Sequence, residues 1–375
     1  MKKTARVPAV CSVAALLALL AAAAGFAQKE EEPKGEFGEL IEVTEVFLDV
    51  VATDRKGNVV AGLGKDDFIV REGGEPVEIT SLAFYTTRHE GETAAAAGAS
   101  AGEAAPELPA SRYFIFLFHD QRRNALPGNR LLQQQLDAGR RAHEWVRDQV
   151  TGSDWVAVLS YDVKLVVHQD FSQDTGSLVK AINDAAVGNL KEAPVPSERG
   201  RMTAGSEPSL WRGLPDVADL DRETTRLYDA LRLVAEACRP IVGRKNVLLF
   251  TAGFGELDPG LGIARPDVRF YPDMEQALND NNVAVYPIDL VPPELNHTQS
   301  DFLTQLAVDT GGYYHRNVVN FITPLQLISK ENRGYYLLSF RTEYPAGEKG
   351  YREIDVKAKS GKIRVRTRRG YRYGV

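Results

Sequence analysis

Cysteine is scarce in this sequence, which limits its disulfide chemistry. Two cysteines occur among 375 residues, and Cys11 falls inside an apolar N-terminal segment, so Cys238 stands alone in the remainder. One cysteine cannot form an intramolecular disulfide, and the apolar helical pattern around Cys238 predicts a buried thiol. The six histidines include no His-x-x-x-His pair of the kind that binds zinc.

The sequence also lacks a strong charge imbalance and the common phosphate-binding motifs. Its formal net charge is −6 with 26% charged residues, which gives no indication of a nucleic-acid partner. The stretch FTAGFGE follows an apolar strand but has neither the Gly-x-Gly-x-x-Gly spacing nor the lysine of a P-loop. A Gly-x-Ser-x-Gly match around Ser100 lies in low-complexity sequence rather than between a strand and a helix, which argues against a nucleophile elbow.

The N-terminus carries an apolar run behind basic residues. Lys2, Lys3 and Arg6 precede VAALLALLAAAAGFA, and a small-residue cleavage pattern ends near Ala27. This arrangement predicts a signal peptide over residues 1–27 and a secreted or periplasmic protein. Because the run is short for a membrane crossing of about 20 residues, a retained single-span anchor is the second interpretation.

Composition and periodicity divide the rest of the chain. Residues 28–39 form a charged tether with too little apolar content to pack, and residues 89–111 have the composition of an Ala/Gly/Pro linker. Residues 40–88 and 333–375 show the alternating pattern of antiparallel strands separated by turns. We expect these two flanks to form one smaller, β-sandwich-like domain.

Between the flanks, residues 112–332 alternate buried strands with amphipathic helices. This order predicts an α/β domain with a doubly wound, mostly parallel sheet. The first helix, after the predicted N-cap Asn129, has an apolar face made of Leu132, Leu136, Val146 and Val150. Residues 189–223 show weak periodicity, and a loop of that length in a compact domain is usually functional or disordered.

The order of these elements carries a family resemblance. An apolar strand ends at Asp120, a hairpin follows, and the stretches TTRLYDAL, NVLLFTAGF and LAVDTGGYYHR come later in that order. This arrangement resembles a von Willebrand factor type A (VWA) domain, and the flanks resemble those of secreted bacterial VWFA-related proteins of the acidobacterial type. The resemblance covers nearly the whole chain after the signal peptide and implies a VWA/Rossmann-like fold.

The resemblance also implies a metal-ion-dependent adhesion site (MIDAS), in which Mg²⁺ bridges the domain to an acidic group of a partner. The family pattern has Asp-x-Ser-x-Ser after the first strand, a threonine in a later loop and an aspartate after the fourth strand. Asp120 and Thr225 match the first aspartate and the threonine. Arg122, Asn124 and Ala252 stand where the two serines and the second aspartate belong.

These departures remove negative charge from the implied site. Mg²⁺ needs several oxygen ligands, whereas Arg122 brings a fixed positive charge beside Asp120. We favour a metal-free remnant in which Asp120 pairs with Arg122 or Arg123. The second interpretation is a retained Mg²⁺ site with Asp120, Asn124 and Thr225 as ligands. A third, purely structural interpretation is that Asp120 caps the following helix.

The C-terminal stretch KIRVRTRRGYRY has a cation at every second position, namely Lys362, Arg364, Arg366 and Arg368. Period two places all four on one face of a strand. That face either makes a weak contact with an anionic envelope surface or stays solvated and discourages edge-to-edge aggregation.

The sequence therefore predicts an exported, non-enzymatic interaction protein that binds an unknown protein partner, needs no cofactor and carries a degenerate MIDAS. Recognition is expected at the upper edge of the sheet, through the loops at 120–129, 189–225 and 252–267. The alternative is a hydrolase or other envelope enzyme with a site near residues 189–223, where no set of acid, base and nucleophile can be named.

Overall fold

The computed structural model describes residues 41–86, 111–120, 130–189, 200, 205–258, 260, 262–295 and 297–374. The predicted signal peptide, the charged tether and all but the last residue of the predicted linker lie outside these residues. Arg122, Asn124 and Asn129 also lie outside them. No helix within the described ranges is long and apolar enough to cross a membrane.

Strands and helices alternate through the middle of the chain, and strands fill both ends. The strands are β1 (Ile41–Thr53), β2 (Phe68–Glu72), β3 (Glu75–Val77), β4 (Ile79–Thr86), β5 (Arg112–His119), β6 (Asp154–Tyr161), β7 (Leu165–Ser172), β8 (Lys245–Thr251), β9 (Glu256–Asp258), β10 (Ile263–Arg265), β11 (Val283–Asp289), β12 (Gly334–Pro345), β13 (Gly350–Ala358), β14 (Arg364–Arg366) and β15 (Gly370–Tyr373). The helices are α1 (Arg130–Gln149), α2 (Thr175–Val187), α3 (Val217–Glu223), α4 (Leu227–Ala237), α5 (Tyr271–Asp280), α6 (Ser300–Asp309) and α7 (Ile322–Glu331). Short 3-10 turns occupy Lys65–Asp67 and Leu210–Arg212.

The central sheet has five strands in the order β11-β8-β5-β6-β7. Neighbouring strands run parallel except β7, which returns antiparallel to β6. Strands β5 and β8 are buried along almost their whole length because helices cover both faces of the sheet. Helices α1, α2 and α7 pack on one face, and α3 to α6 pack on the other. The prediction of a doubly wound, mostly parallel sheet is confirmed.

Strands from the two flanks together form a second, smaller β domain. One sheet has the order β14-β1-β12-β4 and the other β15-β13-β2-β3. Each sheet therefore mixes strands that precede the α/β domain with strands that follow it. Their inner faces share a core that includes Leu48, Val70, Tyr336, Leu338 and Val356. The predicted β-sandwich-like domain from the N- and C-terminal flanks is confirmed.

The β-sandwich meets the α/β domain at the amino ends of the parallel strands, which we call the lower edge. Asn282, just before β11, donates a hydrogen bond to Asp49 of β1. Arg368 donates to the carbonyl oxygen of Asn279 at 2.7 Å and to that of Phe47 at 2.9 Å. The carboxyl ends of β5, β6, β8 and β11 form the opposite, upper edge.

Charged side chains are buried at the lower edge. Arg244, just before β8, is 6% exposed and donates to the carbonyl oxygen of Gly311 at 2.7 Å. Arg366 of β14 pairs with Glu331 at the end of α7. Burial raises the pKa of Asp49 and of Glu331, and the neighbouring guanidiniums oppose that rise. Because a buried charge that loses its partner is costly, these contacts fix the β-sandwich against the α/β domain.

The packed face of α1 differs from the predicted one. Val146 is buried, but Leu132, Leu136 and Val150 are only half-buried. The buried residues are Leu131, Gln135, Ala138, Gly139, Ala142, Trp145 and Val146. Small residues occupy this face because α2 packs closely against it: a Cβ atom on Gly139 would lie 2.5 Å from the Cβ of Ala186. The positions of the large apolar residues alone therefore predicted the wrong buried face of α1.

The predicted basic face over residues 362–368 is wrong. β14 ends at Arg366, and the chain leaves the sheet before β15 begins. Arg366 and Arg368 turn toward the lower edge, where they bind a carboxylate and carbonyl oxygens. Lys362 and Arg364 are exposed. Contact with an anionic surface therefore stays a prediction, but only these two of the four proposed cations are available for it.

The segment 189–223, predicted as a long loop, packs against the domain in its second half, while its role in recognition stays a prediction. Residues 190–199 and 201–204 lie outside the described residues, but from residue 205 the chain packs against the domain. Asp170 of β7 accepts hydrogen bonds from Ser209 Oγ at 2.5 Å and from the backbone N of Leu210 at 2.8 Å. The apolar side chains that join the core are Leu210, Trp211, Leu214 and Leu220. The sequence did not reveal this segment because the 3-10 turn and the short helix α3 are too brief to produce a recognisable period of apolar residues.

Arg112 and Asp154 form a buried ion pair at the lower edge. Their exposed fractions are 5% and 0%, and hydrogen bonds of 2.6 and 2.7 Å join guanidinium to carboxylate. Arg112→Leu leaves the buried carboxylate without its cation, so we expect urea denaturation to show a loss of about 3–5 kcal/mol in the free energy of unfolding. Arg140→Leu, which breaks an exposed pair with Asp137, is the matched control and should cost less than about 1 kcal/mol. Equal losses in the two variants would contradict this prediction.

Glu275 of α5 is a buried carboxyl close to Tyr351 of β13 and Asp309 of α6. Burial raises its pKa from 4.5 to about 7, and the charge of Asp309 adds to the rise. The folded chain therefore binds this proton more tightly than the unfolded chain, so the contribution of Glu275 favours folding below pH 4.5 and is lost as the pH rises through about 7. We expect the melting temperature of Glu275→Gln to increase relative to wild type over that pH range.

The comparison between the two proteins at each pH isolates Glu275. His119 and His315, whose pKa burial lowers to about 4, titrate in both proteins and cancel in the difference. A difference in melting temperature that stays constant with pH would show that Glu275 does not titrate as described.

Candidate functional site

Asp120 follows β5 at the upper edge of the sheet. It is 6% exposed, and its backbone N donates a hydrogen bond to the carbonyl oxygen of Tyr161, at the end of β6, over 2.8 Å. Arg122 and Asn124 fall within residues 121–129, outside the described ones. Of the four predicted site residues, the structure therefore places Asp120 and Thr225.

Thr225 lies in the turn before α4, next to a buried threonine. Thr224 Oγ1 donates to a carbonyl oxygen of α3 at 2.7 Å and accepts from the backbone N of Leu165 at 3.0 Å. Leu165 pairs with Tyr161 across the β6–β7 hairpin, and Tyr161 in turn binds Asp120. Hydrogen bonds thus connect the turn at Thr224 with the end of β5, whereas Thr225 itself is exposed.

The end of β8 offers no carboxylate. Ala252 stands where the family pattern has an aspartate, and it packs against the apolar core of one face of the sheet. Thr251 Oγ1 accepts from the backbone N of Gly253 at 2.9 Å and lies 2.8 Å from His119 Nδ1. Gly253 adopts a φ of +103°, and a Cβ atom there would lie 2.4 Å from the Cβ of Gln299, so the turn requires glycine. Burial lowers the pKa of His119 to about 4, which keeps this imidazole neutral.

A polar cluster at the end of β11 was missed in the sequence. Asp289, which is 2% exposed, accepts hydrogen bonds from the backbone N of Val291 at 2.8 Å and from Tyr314 OH at 2.9 Å. Its Oδ1 also lies 3.1 Å from His297 Nε2. His297 Nδ1 accepts from the backbone N of Gln299 at 3.0 Å. The cluster ties the end of β11 to the loop before α6, and the sequence feature that could have revealed it is an aspartate that ends an apolar strand.

An exposed loop precedes α5 at the upper edge, and an arginine holds it in place. Arg269 donates hydrogen bonds of 2.9 and 2.7 Å to Asp267 and one of 2.6 Å to Glu256. The bonds from Arg269 lower the pKa of Asp267 to about 2, so the pair is charged at neutral pH. The backbone N of Asp267 donates to Tyr228 OH at 3.1 Å. Val268, between the paired residues, is 82% exposed, and we call residues 266–270 the Val268 loop.

Aromatic rings support the Val268 loop. The guanidinium of Arg226 lies over the ring of Phe270 at 4.1 Å, and that of Arg269 lies over the same ring at 5.2 Å. Tyr228, which binds the loop backbone, contacts Phe254 at a centroid distance of 5.1 Å. Because Arg226 directly follows Thr225 in the chain, the exposed threonine and the Val268 loop are neighbours on the same edge.

Candidate metal ligands and nucleophiles in the described ranges are few or buried. Of the implied oxygen ligands only Asp120 and Thr225 are described, and no group of three or more His, Cys, Asp or Glu side chains in the described ranges could hold a metal ion. Ala252, the third described position of the implied site, carries no side-chain oxygen. Cys238 is fully buried, and burial raises the pKa of its thiol to about 12. Ser160 Oγ lies 2.7 Å from His168 Nε2, but the two residues are only 8% and 2% exposed, so a substrate cannot reach this pair.

The sequence matches no protein-family model and no curated protein. Among solved structures, it is similar to the conserved hypothetical protein BatB from Bacteroides thetaiotaomicron, with 14% identity, 59% of this chain and 97% of that chain covered, and a TM-score of 0.38. The ArnB paralog VWA2 from Sulfolobus acidocaldarius is 9% identical, with 88% and 75% covered and a TM-score of 0.33. Proximal thread matrix protein 1 from the mussel byssus, with a zinc-occupied MIDAS motif, is 13% identical, with 60% and 46% covered and a TM-score of 0.35. Similarities this low carry no statement about the function of this chain.

We expect millimolar Mg²⁺, Mn²⁺ or Ca²⁺ to leave the melting temperature of the wild-type protein nearly unchanged. A site of micromolar affinity would add about 4 kcal/mol at a thousandfold excess of ion, which a melting curve resolves. The combined substitutions Arg122→Ser, Asn124→Ser and Ala252→Asp restore the implied oxygen ligands beside Asp120 and Thr225. This variant should gain a metal-dependent shift that wild type lacks. A strong Mg²⁺ shift in wild type, abolished by Asp120→Ala, would contradict the metal-free interpretation.

Proposed function

We propose that this chain is an exported protein-interaction module that binds a protein partner through the upper edge of its α/β domain, without a bridging divalent cation. The observation that carries the proposal is the Val268 loop, in which an apolar side chain is 82% exposed on a loop fixed by an ion pair. A single exposed apolar residue needs no explanation. One that is presented by a structured loop among arginines and aromatic rings is suited to a contact.

The surroundings of the loop match the composition of binding hot spots. Arginine and aromatic residues are enriched in hot spots, and Arg226, Arg269 and Phe270 lie together beside Val268. The hydrogen bonds of Asp267 and Arg269 order the loop before any partner arrives. Binding to an ordered loop loses less conformational entropy, which supports this edge as the contact surface.

The charges of the described edge support a contact without metal. Both carboxylate oxygens of Asp289 are engaged by neighbouring groups, and Ala252 supplies no oxygen. These groups supply no unused carboxylate for a bridging dication, and the guanidiniums of Arg226 and Arg269 beside Val268 are paired with Asp229, Asp267 and Glu256. We therefore propose a partner surface that places an apolar group on Val268.

Export and the absence of catalysis are parts of this proposal. Export rests on the basic and apolar pattern of residues 1–27. The alternative of an envelope enzyme with a site near residues 189–223 has less support, because the described half of that segment contributes buried side chains to the core. The buried pair of Ser160 and His168 does not supply an accessible nucleophile.

A pull-down from a cell-envelope extract with the tagged mature chain tests the contact surface. Val268→Asp places a charge at the centre of the proposed contact, so we expect the amount of captured partner to fall about tenfold or more. Val43→Asp is the matched control, since Val43 of β1 is also highly exposed at 61% but lies on the β-sandwich. Val43→Asp should capture as much partner protein as wild type does.

The same assay with EDTA tests the metal-free mode. We expect the captured protein, identified by mass spectrometry, to remain bound when EDTA is added. Full capture by Val268→Asp would place the contact elsewhere, and release by EDTA would show that a metal ion bridges the partner.

A further inference from the structure

The edges of the β-sandwich differ in how well they are protected. An unpaired edge strand can add a strand from another chain, and proteins prevent this with short strands, charged residues or proline. β14 is three residues long and carries Arg364 and Arg366. β3 is also three residues long and carries Glu75 and Pro76, and β15 is four residues long and carries Arg372. Each of these three edges has a recognised protection.

β4 differs from the other described edges of the β-sandwich. It ends the sheet order β14-β1-β12-β4 and is eight residues long, and its sequence ITSLAFYT contains neither charge nor proline. At its start, Lys65 Nζ donates to the carbonyl oxygen of Thr80 at 2.5 Å. Thr86 is the last residue of the strand, and its Oγ1 bonds on the side of β12, donating to the carbonyl oxygen of Arg333 at 3.1 Å. Within the described part of the chain, the long unprotected stretch is therefore residues 81–85.

The apolar core is incomplete beneath β4. Leu82 lies opposite Leu338 of β12, and Phe84 lies opposite Tyr336. The β12 residues are 0% and 1% exposed, whereas Leu82 and Phe84 are only partly buried although they pack against the same core. One more strand beyond β4 would cover both side chains.

We propose that residues 81–85 pair antiparallel with the same residues of a second copy of this chain, so that two four-stranded sheets join across a twofold axis. In a twofold dimer each copy contributes the same surface, and an antiparallel pair of identical strands meets this requirement. The stretch has no charge, so pairing brings no like charges together. These features make a second copy the occupant of this edge.

Sedimentation velocity of the mature chain over a series of concentrations tests the dimer. We expect wild type to dimerise with rising concentration and Ala83→Lys to stay monomeric over the same series. Ala83 lies opposite Leu337 of β12, on the face away from the core that holds Leu338, so the new lysine protects the edge without entering the core. Val187→Lys, at the exposed end of α2, is the control and should dimerise like wild type. A monomeric wild type, or an undiminished dimer of Ala83→Lys, would overturn the proposal.

Amide hydrogen exchange of the wild-type protein gives a second readout that needs no substitution. Amides of β4 that point away from β12 should become protected as the protein concentration rises, because they donate to the second copy only in the dimer. Protection in residues 81–85 that is independent of concentration would count against the dimer. Neither experiment tests binding through the Val268 loop, so the outcome is separate from that of the partner-binding assay.

Discussion

Buried charges at the lower edge hold the two domains together, and the rest of the structure depends on them. Asp49 of the β-sandwich faces Arg244 of the α/β domain and accepts a hydrogen bond from Asn282, while Arg366 pairs with Glu331. Removing a charge from water costs several kcal/mol unless a partner offsets the loss. Because these partners belong to different domains, their pairing sets the orientation of the β-sandwich as well as its attachment.

At the upper edge, polar groups hold loops in place. The backbone of Asp120 is tied to the β6–β7 hairpin, Asp289 is tied to the loop before α6, and Asp267 is tied to Arg269. Loops fixed on a rigid scaffold are the usual carriers of recognition. The carboxylates of Asp289 and Asp267 thus stabilise loops of this edge, while Val268 stays exposed and available for contact.

The sequence predicts the layered architecture well, because buried parallel strands and half-buried antiparallel strands leave different patterns of apolar residues. The strand that ends at His119 and the alternating flanks are examples. It does not predict where long side chains turn: Arg366 and Arg368 belong to an alternating pattern but bind groups at the lower edge. It also does not predict the Val268 loop, because the contact between Arg226 and Phe270 joins residues that are distant in the chain. Of the candidate site, Asp120 and Thr225 were named through the resemblance to a VWA domain. The hydrogen bonds that hold the loops of this edge depend on tertiary packing, which the sequence does not show.

Differential scanning calorimetry of wild type and Arg244→Leu tests most directly whether the lower-edge charges make the β-sandwich and the α/β domain one cooperative body. We predict a single transition in wild type, with equal calorimetric and van't Hoff enthalpies. In Arg244→Leu the carboxylate of Asp49 loses a neighbouring cation, so the β-sandwich should melt separately and at a lower temperature. Two transitions in wild type, or a variant with the same melting curve as wild type, would contradict the claim that these charges couple the two domains.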